Sequence, residues 1–252
     1  MPAPHREIIV PKKLDQIAEN VNAYTLRFDG HLLDEVRSLW EQVAGPTLSD
    51  PANAPLLAGG KRVDLELGSG GDRLYVTSFG EAPLLWLSND NDQTYAIFER
   101  FFRSLGIDDE VKELVDHDER IQVYCGFFVV GNVAEQSKWH VDYQDGANGY
   151  TLITPLYELD EQHGHLIYQD ANEKLYRYVY EMDELVLFGE GFPHTTEPYP
   201  KTEKLRVLLS LTLGTDKLEH WEALQSIAGQ SRYMRLPCGH VRGTCACLDG
   251  LS

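Results

Sequence analysis

KLRVLLSLTL, Lys204–Leu213, alternates strictly apolar positions with positions that include an arginine, a serine and a threonine. In an extended chain successive side chains turn to opposite faces. Leu205, Val207, Leu209, Leu211 and Leu213 therefore form one face, and Arg206, Leu208, Ser210 and Thr212 the other. The wholly apolar face packs into hydrophobic core, so Arg206 is expected to point the opposite way, into a barrel interior if the strand is buried on both sides. A guanidinium placed there is costly without an anion. Its partner is either a rim glutamate, Glu158 or Glu184, or a bound carboxylate gripped by both arms of the fork.

Working back along the chain, IQVYCGFFVV, KWHVDY, YTLITPLYEL, HLIYQD, LYRYVYEM and ELVLFGEG lie between Ile121 and Gly191 with turn signals between them. Such short β-rich runs without intervening helices predict an antiparallel sandwich or barrel of the jelly-roll kind, whose mouth can hold a ligand. The first 120 residues read as mainly helical support for that barrel. LDQIAENVNAY and HLLDEVRSLWEQVA space their apolar residues by three and four, with Asp29 as N-cap of the second. A Gly/Pro/Asn-rich passage from Gly45 to Gly71 reads as loop around a short strand, VDLEL. RLYVTSF and PLLWLS read as strands, QTYAIFERFFRSLG as a helix burying Phe98, Phe101, Phe102 and Leu105, and DDEVKELVDHDE as a helix with an acidic first turn. The fold class is α+β in one domain spanning 1–252, with N-terminal support at 1–120, a core at 121–216, and a C-terminal helix and cysteine-containing tail at 217–252.

The chain has 252 residues and a net charge of -18. That acidity disfavours nucleic acid and anionic membranes as partners, because neutralising phosphates takes clustered lysine and arginine. No apolar stretch of signal-peptide or membrane-spanning length is visible, so a cytoplasmic location is expected. Of four cysteines, Cys125 sits in an apolar run and reads as a small buried hydrophobe. Cys238, Cys245 and Cys247 crowd the tail around His240. Their spacing matches no paired CxxC framework, so the expectation is a loose tail of reduced thiols, with a second metal, zinc, as the alternative.

KWHVDYQD places His140 and Asp142 on one face of an extended segment, and ELVLFGEGFPHTTEPYP adds His194 after an apolar strand and turn. His-x-Asp alone is a pair that chance supplies. With a third ligand, two imidazoles and one carboxylate suit Fe(II) and leave positions open for oxygen and a chelating co-substrate. Trp139 and Tyr143 point away by parity and are expected in the barrel wall or at its entrance. His163 and His165, in EQHGHL, are expected at a solvated hairpin.

His140 and Asp142, His194, and Arg206 twelve residues further on resemble the His-x-Asp, His and Arg pattern of the Fe(II)/2-oxoglutarate-dependent dioxygenases. HGHLIYQD is similar to that family's Gly-x-Leu-x-aromatic strand, and DELVLFGEGFPHTTEP to its strand leading to the distal histidine. The resemblance covers about Ile121 to Asp216 and implies a double-stranded β-helix, jelly-roll or cupin-like. It implies that His140, Asp142 and His194 bind iron and that Arg206 binds the distal carboxylate of 2-oxoglutarate. It further implies oxidation of a small metabolite, amino acid or peptide by O2 with release of succinate and CO2. Asp142 favours hydroxylation, since relatives that halogenate have a small residue there. Some subfamilies carry a serine two residues after the arginine, where this chain has Leu208. The missing hydroxyl is expected from Tyr124, read as facing inward with Gln122 and Gly126, or from Thr196. A non-catalytic cupin-like binding protein would not need Arg206, and a metal-dependent hydrolase would need a general base that no HExxH or paired-carboxylate motif supplies.

Overall fold

A computed structural model of the chain describes residues 13–59, 61–78, 83–228 and 231–247. The opening MPAPHREIIVPK, read above for a targeting signal, lies outside them. In chain order, β1 (Asp15–Gln16) and β2 (Ala23–Arg27) lead into a helical stretch containing α1 (Asp34–Leu39), a π turn and α2 (Gly45–Ser49). A meander of β3 (Asp64–Ser69), β4 (Asp72–Thr77) and β5 (Leu84–Asn89) precedes α3 (Asp92–Leu105) and the short α4 (Asp108–Lys112). Next come β6 (Gln122–Gly131), β7 (Gly149–Pro155), β8 (Leu166–Gln169) and β9 (Leu175–Tyr178). The strands end with β10 (Glu184–Phe188), β11 (His194–Thr196) and β12 (Arg206–Gly214), and α5 (Trp221–Ala228) follows.

The strands form two antiparallel sheets, in the orders β1-β2-β10-β7-β12-β6-β5-β4-β3 and β11-β8-β9. From β6 onward the chain moves back and forth between these sheets, which makes a jelly roll: β6, β7, β10 and β12 fall in the large sheet, and β8, β9 and β11 in the small one. The second segment of the roll is reduced to one bridge, in which His140 and His194 each donate their N–H to the other's carbonyl oxygen at 3.0 Å. KWHVDY is thus not a full strand as its alternation predicts. One bridge holds His140, and the chain then leaves the sheet in a turn.

The N-terminal support is less helical than expected. β1 to β5 lie within the first 120 residues and extend the large sheet on both sides of its jelly-roll strands. LDQIAENVNAY is not a helix: it contains β1, a turn in which Asn20 has φ 60°, and the first residues of β2. Pairing of β2 with β10 and burial of Val21 and Ala23 beside Phe188 and Phe192 outweigh the helical spacing. Elsewhere α2 and a 3-10 stretch, Pro51–Leu57, form where loop was expected, and DDEVKELVDHDE is helical only over Asp108–Lys112, while the two remaining helical signals hold. Asp29 caps the turn before α1 by accepting from His31 N at 3.1 Å. Asn91 accepts from Thr94 N at 2.9 Å to start α3, and Gly106, at φ 63°, ends it. Phe98, Phe101, Phe102 and Leu105 of α3 are buried against the outer face of the large sheet with Val207, Leu209, Leu211 and Leu213.

Register decides which residues face the interior. Arg206 stands opposite Gly131, Leu208 opposite Val129, Ser210 opposite Phe127 and Thr212 opposite Cys125. Directly opposed residues share a face, so Cys125, Phe127 and Val129 point inward with Arg206. Of the expected inward set of Gln122, Tyr124 and Gly126, this register turns Gly126 outward, since it stands opposite Leu211. A Cβ on Gly126 would lie 2.2 Å from Phe98 Cγ, which places that residue against α3 on the outside. A register irregularity between Thr212 and Leu213 leaves Tyr124 without a partner on β12, and its ring packs with Cys125 and Phe127 against Trp221, Met234 and Leu236.

Candidate active site

His140 and His194 are brought together by the bridge between their own backbones, with ring centroids 4.3 Å apart. Each ring has its Nδ1 turned to a carbonyl oxygen two residues upstream: Lys138 O at 2.8 Å for His140 and Phe192 O at 3.0 Å for His194. Those contacts fix the protonated nitrogen as Nδ1 and leave both Nε2 lone pairs free. Both lone pairs turn toward one carboxylate oxygen. Asp142 Oδ1 lies 3.5 Å from His140 Nε2 and 3.9 Å from His194 Nε2. Its other oxygen, Oδ2, accepts from Thr151 Oγ1 on β7 at 2.6 Å. One ligand atom from each of the three residues lies within 4.8 Å of the others.

His194 is nearly buried, with Phe188 at 4.6 Å and Phe192 at 5.5 Å from its ring, whereas His140 is exposed. Burial pushes the His194 imidazole below its ordinary pKa against the opposing pull of Asp142, with His140 adding to the downward shift. A neutral ring is the form that donates a lone pair to a metal. One wall of the triad is thus dry and aromatic, and the other opens to solvent. Trp139 is 44% exposed on that open side, as expected of an entrance residue, while Tyr143 is buried and donates to Tyr150 O at 3.0 Å.

Arg206 is 1% exposed on the inward face. Its Nε donates to Gly164 O at 2.8 Å, and its guanidinium lies 5.5 Å from the Tyr180 ring centre. The proposed rim salt bridge does not form: Glu184 pairs with Arg27 at 3.2 Å and accepts from Tyr178 Oη at 2.8 Å. Among the described residues no carboxylate lies within ion-pairing distance of Arg206. Tyr199 also closes on this spot. Its Oη lies 3.2 Å from where a Cβ of Gly131, the cross-strand partner of Arg206, would sit, and it is buried with no hydrogen-bond partner. Burial raises the pKa of both Tyr180 and Tyr199, and the Arg206 charge draws both back down. Tyr180 also feels the charge of Asp142, which raises its pKa further.

Two expectations for this region change. Tyr124 does not supply a hydroxyl here, because its Oη donates to Thr215 O at 2.8 Å. It also stands seven residues along β6 from Gly131, or roughly 23 Å of extended chain. His163 and His165 are not solvated: both are at most 2% exposed. His165 Nδ1 accepts from Tyr180 N at 3.1 Å and so helps place that ring. Thr196 makes no hydrogen bond to Arg206 among the described residues. It shares the inward face of β11 with His194 and pairs with Leu166, two residues from Gly164. Tyr180, Tyr199 and Thr151 were missed, since a tyrosine in a strand or a threonine in an apolar run carries no functional signal of its own.

No protein-family model and no curated protein matches the sequence. Solved structures do. AviO1 from Streptomyces viridochromogenes Tue57 superposes with a TM-score of 0.51 at 12% identity, covering 77% of this chain and 90% of that one. This chain is a double-stranded β-helix. Structures with lower scores include SnoN, a non-heme alpha ketoglutarate dependent epimerase from nogalamycin biosynthesis, at TM-score 0.49 and 10% identity over 78% of this chain and 80% of that one. HygX from Streptomyces hygroscopicus with iron bound gives 0.47 and 12% over 78% and 83%. In the double-stranded β-helix of this chain, Arg206 of β12 donates to Gly164 O, and Gly164 lies two residues before Leu166 of β8, which pairs with Thr196 on the same short strand as His194.

Proposed function

We propose that the chain is an Fe(II)- and 2-oxoglutarate-dependent dioxygenase that hydroxylates an unactivated C–H bond of a small metabolite, amino acid or peptide. The observation that carries this reading is Arg206: a fully buried guanidinium with no carboxylate partner among the described residues, beside a buried tyrosine hydroxyl that also lacks one. Leaving such groups uncompensated costs several kcal/mol, so the site is built for an anion that arrives from outside. The donor set fits iron as well, with two imidazoles and one carboxylate drawn together, one ligand atom from each within 4.8 Å of the others.

In this reading His140, Asp142 and His194 hold Fe(II), and Arg206 grips the distal carboxylate of 2-oxoglutarate with Tyr199 donating to the same group. When bound, iron and 2-oxoglutarate supply the oxidising power, drawn from O2, with succinate and CO2 as products. The chain's own residues prepare the ground. Thr151 holds Asp142 so that Oδ1 faces both imidazoles, and the Lys138 and Phe192 carbonyls, each in contact with an Nδ1, turn both Nε2 atoms toward that oxygen. Phe188 and Phe192 exclude water on the buried side, leaving substrate to enter past His140 and Trp139. Asp142 would give the metal a carboxylate ligand where halogenating relatives carry a small residue, and that favours hydroxylation. Net acidity disfavours nucleic acid as substrate, and among the described residues no helix is long and apolar enough to cross a membrane.

The test is anaerobic addition of Fe(II) and 2-oxoglutarate, expected to give a weak visible charge-transfer band, followed by air, expected to release succinate. A wild-type protein that gives neither would sink the proposal, and metal binding without 2-oxoglutarate binding would favour a cupin-like binding protein.

Tyr199→Phe separates ligand binding from stability. Removing a buried hydroxyl that has no partner spares the empty protein a desolvation cost, so the thermal midpoint is expected to hold or rise, by the equivalent of about 1 kcal/mol. Loss of one charge-assisted hydrogen bond to the bound carboxylate is expected to weaken 2-oxoglutarate about tenfold. Calorimetric titration beside a melting curve reads both, and unchanged affinity removes Tyr199 from the site.

A further inference from the structure

The tail read from spacing as loose chain with reduced thiols is instead folded into a knuckle. Arg242 N donates to Met234 O at 2.9 Å, Leu236 N to His240 O at 2.8 Å, Gly239 N to Leu236 O at 2.8 Å and Thr244 N to Val241 O at 3.0 Å. Arg235 and Val241 form an antiparallel bridge across the turn. Gly239 and Gly243 both adopt φ 82°, the left-handed region that permits two tight reversals within five residues. These reversals bring Cys238, His240, Cys245 and Cys247 together. One ligand atom from each lies within 4.8 Å of all the others. Cys247 Sγ is 3.7 Å from His240 Nδ1.

We propose that Cys238, His240, Cys245 and Cys247 bind one zinc ion in a closed, structural site separate from the triad. The spacing matches the chemistry. With Zn–S near 2.3 Å and Zn–N near 2.0–2.1 Å, tetrahedral ligands sit about 3.6 Å apart for sulfur and nitrogen and about 3.8 Å for two sulfurs. No described cysteine forms a disulfide, so disulfides do not explain the convergence. Three soft thiolates with one imidazole select zinc over a hard cation, and four protein ligands leave no position for substrate, unlike the triad with its three.

The knuckle has something to hold. Met234 and Leu236, at its base, are fully buried against Tyr124, Trp221 and Leu224, and Arg235 N donates to Tyr124 O at 2.8 Å. Arg235 also ties back to the loop by donating to Gly239 O at 2.9 Å. Zinc would therefore fasten the tail to the start of β6. Tyr143, which follows Asp142 by one residue, belongs to the same cluster. The zinc site supports the floor beneath the triad without touching it, and it does not depend on the reaction proposed above.

Elemental analysis of the full chain, purified without metal supplementation and treated with a mild chelator to strip weakly held ions, is expected to find about one zinc per chain. Titrating the wild-type thiols with an organomercurial should release that zinc stoichiometrically, with a chromogenic dye as readout. Replacing zinc by Co(II) should give the strong visible absorption of a tetrahedral cobalt thiolate, kept in His140→Ala and lost in Cys245→Ser/Cys247→Ser. His240→Cys should retain the metal. The proposal is overturned by zinc far below one per chain, by a zinc content that the cysteine substitutions leave unchanged, or by a disulfide within the tail found by mass spectrometry. Because mercurial release is measured on the wild type, a variant that fails to fold does not rescue the idea.

Discussion

Arg206→Met is expected to weaken 2-oxoglutarate binding by a factor on the order of 10²–10³ while leaving the empty protein as stable as the wild type or more so. Truncating one member of a buried, hydrogen-bonded charge pair costs roughly 2–5 kcal/mol, and each 1.4 kcal/mol is tenfold in affinity. The stability forecast runs the other way because Arg206 is fully buried without a carboxylate among the described residues, and its Nε bond to Gly164 O is neutral on the acceptor side. Exchanging an uncompensated buried charge for an apolar side chain of similar length is commonly neutral or stabilising. Arg206→Lys should fall between, since it keeps the charge but loses the planar fork and the Nε donor. Metal affinity at the triad should be unchanged in both. Calorimetry with 2-oxoglutarate on the metal-loaded protein measures the first effect and melting curves the second. Affinity within threefold of wild type in Arg206→Met would show that the guanidinium serves the fold and not a ligand.

What the sequence made legible follows from which interactions are local. Alternation in KLRVLLSLTL was enough to turn Arg206 inward, because β12 is flanked on both sides by hydrogen-bonded strands and keeps a regular pleat over most of its length. The same parity rule failed on IQVYCGFFVV. An irregularity opposite Thr212 and Leu213 and the close approach of Phe98 to Gly126 fix that strand's faces, and neither leaves a mark in a ten-residue window. LDQIAENVNAY misled in the opposite sense. Its helical spacing is real, but β10, about 160 residues away in sequence, offers β2 a backbone partner, and that contact is visible only once the fold has formed. His140, Asp142 and His194 were recoverable as a set because a second histidine after an apolar strand and turn joined a pair that chance alone supplies, and one ligand atom from each lies within 4.8 Å of the others. Tyr180, Tyr199, Thr151 and Gly164 were not, since they act through positions that the return of distant loops creates. The tail cysteines belong with them: CGHVRGTCAC has no familiar metal spacing, and only the two left-handed glycines bring its four ligands together.

Asp142→Asn tests the triad at its single charge. It removes the one negative ligand while keeping the size and an oxygen able to accept from Thr151 Oγ1, so the loop from His140 to Tyr143 should keep its bridge and its turn. Fe(II) affinity is expected to fall by about 10²–10³, corresponding to loss of a paired, partly buried charge worth roughly 3–5 kcal/mol. Thr151→Val makes the complementary change. The carboxylate stays, but nothing holds Oδ2, so Oδ1 is free to turn away from the two imidazoles. Loss of such an outer contact lowers metal affinity about 10–100-fold. The ranking is therefore wild type, then Thr151→Val, then Asp142→Asn. It can be read without turnover, from the rise in melting temperature as metal is added: a ligand at 100 times its dissociation constant stabilises by about 2.7 kcal/mol, and one at or below that constant by almost nothing. Equal metal-induced shifts in all three proteins would mean that Asp142 is not a ligand, and the approach of its Oδ1 to His140 and His194 would then be an ordinary hydrogen-bonded cluster at the mouth of a barrel.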